Sequence, residues 1–303
     1  MLGAVTELAI SLSGVVKRYG EITAVNGLDL EVPMGVCFGL LGPNGAGKST
    51  TMRMLTAQTL ADTGEISVLG YELPRESKQA RTEMGVVPQL DNLDVELTTR
   101  QTLTLFSRLY RVSRADRAAA VDRALALANL GARADTVVRE LSGGMRRRLL
   151  VARGLIHQPR LVLLDEPTVG LDPQVRQELW SLIDGLRASG VTVLMSTHYI
   201  EEAERLADTV AVMAAGRIVA QDTPSKLVSQ HAGERVLEVY GAPGRLAEIA
   251  DLAARRGWVT RRSGPAVAIM RAEALDGDAP PDGVLRPANL EDAFVALTGE
   301  TIE

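Results

Sequence analysis

The apolar and polar positions divide the chain into stretches of different period. Between residues 7 and 41, Ile10, Leu12 and Val15-Val16 give short apolar runs, and Leu28, Leu30 and Val32 then alternate with Asp29 and Glu31. Period-two alternation predicts β-strands. Gly64-Glu65-Ile66-Ser67-Val68-Leu69-Gly70 reads as another strand, bounded by glycines. From about 98 to 160 the pattern becomes helical. Thr98 with Gln101 three positions on forms a capping box, and Ala, Leu and Arg dominate 114–130. Leu161-Val162-Leu163-Leu164 and Val191-Thr192-Val193-Leu194-Met195 are nearly unbroken apolar runs, the pattern of strands buried on both faces. Helices expected at about 174–188 and 199–206 alternate with them, which predicts a parallel sheet with crossover helices. Ala211-Val212-Met213 and Arg217-Ile218-Val219-Ala220, flanking Ala214-Ala215-Gly216, suggest a hairpin at the sheet's end.

Near residue 225 the character shifts, and 229–303 reads as a small appended α+β domain. It holds a βα-like segment from Val236 to Gly257 and a loop over 276–283. Its last helix has Asn289 as N-cap, Leu290, Ala293, Phe294 and Leu297 on one face, and Gly299 as terminator.

Composition narrows the function. A net charge of −5 and 3% aromatic residues argue against a dedicated nucleic-acid binder or a base-stacking platform. The single cysteine, Cys37, lies in the apolar run 36–41 and reads as a core thiol, which fits a reducing cytosol. No apolar run approaches the roughly 18 residues of a membrane span. The first seven residues lack the basic region of a secretion signal. A cytosolic protein is expected, reaching a membrane only through another chain.

Gly42-Pro43-Asn44-Gly45-Ala46-Gly47-Lys48-Ser49-Thr50 matches G-x-x-x-x-G-K-[ST] between an apolar strand and an apolar helix, the context this phosphate-binding loop requires. Its glycines let backbone N–H groups curl around a phosphate. Lys48 supplies charge to the β- and γ-oxygens, and the Ser49 hydroxyl suits Mg²⁺. Asp165 ends a buried strand, placed to hold Mg²⁺ through water. Glu166, one residue on, is placed to polarise an attacking water. A solvated strand corner is the competing reading of that pair. His198 follows the next buried strand and therefore faces the same sheet edge.

A second glycine turn, Leu141-Ser142-Gly143-Gly144-Met145, opens another helix. One triphosphate seldom needs two such loops. If the second lies far from the first, it can serve the nucleotide held by another copy of the chain. Arg146, Arg147 and Arg148 read as a solvated helix face, with help to that trans contact as the alternative.

Taken in order, Tyr19, the loop at 42–50, Gln89, the turn at 141–145, Asp165-Glu166, Gly170-Leu171-Asp172 and His198 resemble the nucleotide-binding subunits of ABC transporters over residues 7 to about 225. The resemblance implies a P-loop ATPase domain over 1–228. It would combine a mostly parallel core sheet, an antiparallel β subdomain and a helical subdomain at about 90–160, with ATP and Mg²⁺ as cofactors. It further implies that Tyr19 stacks on adenine and that Gly42, Asn44, Gly45, Gly47, Lys48, Ser49 and Thr50 cradle phosphate. Gln89 would touch Mg²⁺ and the lytic water, and His198 would hold the γ-phosphate. Ser142, Gly143 and Gly144 would meet the nucleotide of the opposite subunit, and Asp172 would cross the dimer seam. Met145 departs from the glutamine common in the family.

Residues 86–94, 201–206, 286–294 and 297–299 are more narrowly similar to nodulation-factor exporter ATPases and to drug-export ATPases of the daunorubicin-resistance type. These pair as separate chains with ABC-2 type permeases. That likeness implies a dimer at the cytoplasmic face of the membrane powering export of a lipid-linked saccharide, glycolipid or amphipathic drug. A soluble family member acting on ribosomes or DNA is the alternative. Against it, the chain has a single cassette and no heptad run between Lys48 and Asp165. Glu166 and His198 disfavour a clamp that does not hydrolyse.

Overall fold

The structure, a computed structural model, describes residues 7–275, 280 and 282–299. Most of the loop expected at 276–283, and most of the N-terminal segment read above, lie outside them.

The chain opens with strands β1 (Leu8–Tyr19), β2 (Ile22–Pro33) and β3 (Cys37–Leu41), then helix α1 (Lys48–Leu55), β4 (Thr63–Val68), β5 (Tyr71–Leu73), α2 (Ser77–Thr82) and β6 (Met84–Val87). Helices α3 (Thr99–Leu109), α4 (Arg117–Leu127) and α5 (Gly143–Leu155) follow. Next come β7 (Leu161–Asp165), α6 (Pro173–Ala188), β8 (Thr192–Thr197), α7 (Ile200–Leu206), β9 (Thr209–Ala214), β10 (Arg217–Asp222) and α8 (Pro224–His231). The final part holds β11 (Arg235–Tyr240), α9 (Pro243–Arg256), β12 (Thr260–Ser263), β13 (Ala266–Ile269), β14 (Val284–Pro287) and α10 (Leu290–Thr298).

The central sheet runs β10-β9-β3-β8-β7-β6 and is parallel except for the β9–β10 hairpin. Its strands are apolar on both faces for a visible reason. Phe38, Leu40, Leu161, Leu163 and Leu194 enter one core with Met52, Met54 and Leu55 of α1. The alternate residues Cys37, Leu41, Val162, Leu164, Val193 and Met195 enter a second core with Leu150, Leu179, Trp180 and Leu206. Burying both sets sandwiches the sheet between layers. A four-stranded antiparallel sheet, β2-β1-β4-β5, covers the first core.

Helices α3, α4 and α5 share a third core built on Leu103, Val121, Leu125 and Leu149. The Thr98–Gln101 capping box forms as the spacing predicts. This is the mixed fold expected, with a parallel core, an antiparallel β layer and a helical layer.

The C-terminal part is richer in strand than the sequence suggests: β12-β13-β11-β14 form an antiparallel sheet with α9 against it. The last helix bridges that sheet and the second core: Val295 packs with Val236 and Ala268 of the sheet. Leu290, Ala293 and Phe294 of α10 are fully buried in the second core, beside Leu206, Leu227 and Trp180. Asp292, on another face of α10, accepts hydrogen bonds from Arg261 at the sheet's edge and from both terminal nitrogens of Arg286.

Candidate active site

The phosphate loop joins β3 to α1, so it leaves the sheet at a strand's carboxyl end. Gly47 caps α1 at φ 108°, and a Cβ there would lie 2.4 Å from the Ala24 carbonyl oxygen. Only glycine tolerates both the left-handed backbone and the close approach. A cavity of about 420 Å³ opens over the loop, lined by Asn44, Gly45, Gly47, Lys48, Ser49 and Thr50 together with Gln89 and Glu166. Eight of the residues expected at the site thus share one cavity. Ile22, Thr23, Ala24, Ala215 and Gly216 complete its wall. Sequence reasoning missed these five, because they come from the two hairpin ends that flank the loop in space.

The chemistry converges beneath the loop. Lys48 is 5% exposed and donates to the carbonyl oxygens of Gly42 at 2.7 Å and Pro43 at 3.0 Å. Its Nζ lies 3.3 Å from Glu166 Oε1, and the other carboxylate oxygen of Glu166 lies 2.5 Å from His198 Nδ1. His198 therefore touches the proposed base directly, a contact its sequence position did not reveal. Asp165 Oδ1 accepts from Ser49 Oγ at 3.2 Å and from Ser196 Oγ at 2.6 Å. Two hard oxygens, from Ser49 and Asp165, therefore converge, a donor set that suits Mg²⁺.

Glu166 is buried rather than a solvated corner, and its backbone is left-handed at φ 48°. A non-glycine residue in that region carries strain, which clusters at functional sites. Both sides of the residue are held. Its N–H donates to Ser196 O and Oγ, each at 3.1 Å, and its carbonyl accepts from Arg147 Nη2 at 3.2 Å. Arg147 corrects the expectation of a solvated arginine face. It is 7% exposed, and burial pulls its guanidinium down to about 10, still a cation at neutral pH. A signal was available in the spacing: Arg147 precedes Leu150 and Val151 by three and four residues, on the buried face of α5. Arg146 faces Asp91 and Arg148 pairs with Glu178. Nearby, burial raises the Glu202 carboxyl above its usual range, against the opposing hydrogen bond donated by Trp180 Nε1 at 3.3 Å.

The remaining expected residues lie outside the cavity's wall. Tyr19 is at the β1 end, 46% exposed, paired with Ile22 and with Lys17 Nζ 5.5 Å from its ring centre. Ser142 caps α5, accepting from Met145 N at 3.2 Å, and Gly143 is open to further atoms. Gly144 has a packing reason to be glycine: a Cβ would sit 2.7 Å from Val175 Cγ2 of α6. Asp172 caps α6, accepting from Val175 N at 3.0 Å. The second glycine turn and Asp172 are thereby packed together at two adjoining helix starts.

Comparison with known proteins agrees with this geometry. Residues 25–169 match the ABC transporter family model. The chain is 44% identical over 308 residues to the Nod factor export ATP-binding protein I of Rhizobium meliloti (strain 1021), covering 99% of this chain and 91% of that protein. It is 45% identical over 300 residues to the protein of the same name from Ralstonia nicotianae, covering 96% and 94%. Among solved structures, an ATP-binding subunit of an ABC transporter superposes with a TM-score of 0.68 at 27% identity, covering 74% of this chain and 94% of that one. A dimeric ATP-binding cassette in a post-hydrolysis state bound to ADP and Pi superposes with a TM-score of 0.64 at 27% identity, covering 71% and 98%. With a phosphate loop, a buried carboxylate and a histidine meeting at the sheet edge, and with relatives that align along nearly its whole length, the chain belongs to the ATP-binding, ATP-hydrolysing subunits of ABC transporters.

Proposed function

We propose that two copies of this chain clasp two ATP molecules between them and, through a separate ABC-2 type permease, drive export of an amphipathic cargo at the cytoplasmic face of a membrane. The observation that carries the shared-site part is the separation of the two glycine turns. The first lines the cavity with Lys48 and Glu166, whereas Ser142, Gly143 and Gly144 stand outside its wall. The export part rests on the likeness to proteins named for Nod factor export. Among the described residues no helix is long and apolar enough to cross a membrane; in this reading a separate permease supplies the passage.

In this reading Tyr19 and the exposed Ile22 receive the adenine, and the amides of Asn44, Gly45 and Gly47 surround the phosphates, with Gly42, its N–H held by the Thr197 carbonyl, opening the loop. Lys48 gives up part of its contact with Glu166 to meet the β- and γ-oxygens, and Thr50 at the helix start also meets phosphate. Ser49, Asp165 and Gln89 would hold Mg²⁺, whose chemistry there is to neutralise charge on the terminal phosphate oxygens. Glu166 takes the proton of the attacking water, and His198, bonded to it, orients the carboxylate and reaches the γ-phosphate. Ser142, Gly143 and Gly144 contact the γ-phosphate held by the other copy, and Asp172 meets the partner across the seam. Residues 1–228 form the ATPase domain, with a helical subdomain at about 90–160. Residues 229–303 form an accessory unit tethered to it by α10.

Mixing a Ser142→Arg chain with a Lys48→Ala chain tests the sharing. The mixed dimer keeps one composite site with both elements intact and should hydrolyse ATP faster than either variant alone. Equal rates in all three preparations would reject it. Co-purification with an integral membrane permease, against co-purification with ribosomes or DNA, tests the export role.

A further inference from the structure

Arg147 is unlike its two neighbours in the arginine run. Its guanidinium donates to five carbonyl oxygens: Pro167 at 2.7 Å, Pro88 at 2.7 Å, Gln89 at 3.2 Å, Asp165 at 3.3 Å and Glu166 at 3.2 Å. Those carbonyls belong to two loops that are far apart in sequence. One follows β6 and carries Gln89; the other follows β7 and carries Glu166. A planar fork with five fixed N–H directions can serve five acceptors at once, which an ammonium cannot.

The attachment bears on the base directly. Glu166 holds a left-handed backbone at φ 48°, a strained conformation that persists only where the surroundings over-determine it. Ser196 fixes its N–H and Arg147 its carbonyl. The same guanidinium fixes the carbonyl of Gln89, whose residue lines the cavity opposite Glu166. Arg147 itself is carried on α5, five residues after Ser142.

We propose that Arg147 is a positioning residue for ATP hydrolysis, holding the Glu166 and Gln89 loops of its own subunit in register from the helix that begins at Ser142. It rests on the assignment of Glu166 as the base made above. The N–H groups of the guanidinium are given over to backbone carbonyls. It acts through the two loops, so its loss slows turnover without weakening ATP binding.

The test uses the full chain. Arg147→Lys keeps the charge but not the fork and should lower kcat about tenfold, and Arg147→Met about 10²-fold, with ATP affinity unchanged. Should Arg147→Met fail to fold, Arg147→Lys, with its melting temperature measured beside it, carries the comparison.

A second readout separates positioning from general stability. In the mixed dimer of Lys48→Ala and Ser142→Arg chains, the working site takes Glu166 from the Ser142→Arg chain and Ser142 from the other. Adding Arg147→Lys to the Ser142→Arg chain should slow turnover about tenfold, and adding it to the Lys48→Ala chain should change little. Equal slowing in both placements, slowing in neither, or affinity falling in step with kcat overturns the proposal. If the unmodified mixed dimer is itself inactive, sharing in trans fails, and the kcat-against-affinity split in the plain Arg147→Lys chain still decides the positioning role. If Glu166→Gln hydrolyses ATP normally, the assignment of the base fails instead.

Discussion

Lys48 Nζ lies 3.3 Å from Glu166 Oε1, with the two side chains 5% and 4% exposed. The group that would meet the phosphates thus touches the group that would activate water, inside a site from which solvent is largely shut out. Charges so placed interact far more strongly than they would in water, so nucleotide binding and readiness of the base are electrically linked.

Two substitutions separate those roles. Glu166→Gln keeps the shape of the side chain but removes its ability to take a proton. Turnover should fall by about 10²–10⁴ while ATP affinity holds. Lys48→Ala should instead weaken ATP binding itself. Phosphate release and a nucleotide titration on each variant measure both, and near-normal turnover in Glu166→Gln would exclude it as the base.

Gly144 and Val175 should prove coupled. Gly144→Ala places a methyl 2.7 Å from Val175 Cγ2, so the two helix starts must part. The expected cost is about 1–2 kcal/mol, less than a deep-core clash because alanine also favours the helix. Val175→Ala in the same chain should recover most of it. A double-mutant cycle by denaturant unfolding reads the coupling, and simple additivity of the two changes would contradict the packing account.

His157 makes stability depend on acid. Its ring stacks on Tyr110, 3.9 Å between centres, and burial pushes its pKa from 6.5 to about 4, against a smaller opposing pull from the Met84 backbone. The unfolded chain therefore binds the proton first. The stabilisation is whole above pH 6.5 and drains away as pH falls from 6.5 toward 4. Discounted for partial exposure, the loss is about 2 kcal/mol. His157→Phe keeps a ring against Tyr110 and should flatten that part of the stability–pH curve. An unaltered curve would place the titration elsewhere.

Asp292 should anchor the end of the chain. It is fully buried, accepts from both Arg286 terminal nitrogens and from Arg261, and closes the capping box with Asn289. Removing one member of a buried ionic group strands the others, at about 3–5 kcal/mol. Asp292→Ala should expose α10 to limited proteolysis well before the ATPase core is cut, whereas Glu291→Ala, at the half-exposed edge of the cluster, should do much less. Equal resistance of the two variants would mean that α10 is held by its apolar face alone.

Much of the fold is legible in the sequence. The paired apolar runs 161–164 and 191–195 became β7 and β8, and Thr98 and Asn289 cap α3 and α10 as their neighbours require. These features are local: a strand's alternation, or a cap and its third residue, lie within a few positions of each other. The C-terminal sheet was largely missed, because β12, β13 and β14 are four residues each and β13 and β14 pair with the distant β11. Short strands carry too little periodicity to separate from loop. The arginine run failed differently. Composition suggested a wet face, yet the helical rotation of α5 turns Arg147 inward toward two loops and leaves Arg146 beside Asp91.

By itself the sequence determined the chemistry on offer: a glycine loop able to curl around phosphate, a lysine at a helix start, an acidic pair at a strand end and a histidine after the next strand. Each is written in consecutive residues, and backbone sterics make consecutive residues sufficient. Tertiary structure alone decided which of these groups touch. Lys48, Glu166 and His198 meet although up to 150 positions lie between them. Arg147 finds carbonyls on two separate loops, and α10 joins its own sheet to the second core beneath the central sheet. Such contacts arise from burying many apolar surfaces at once, a sum over the whole chain that no single stretch contains.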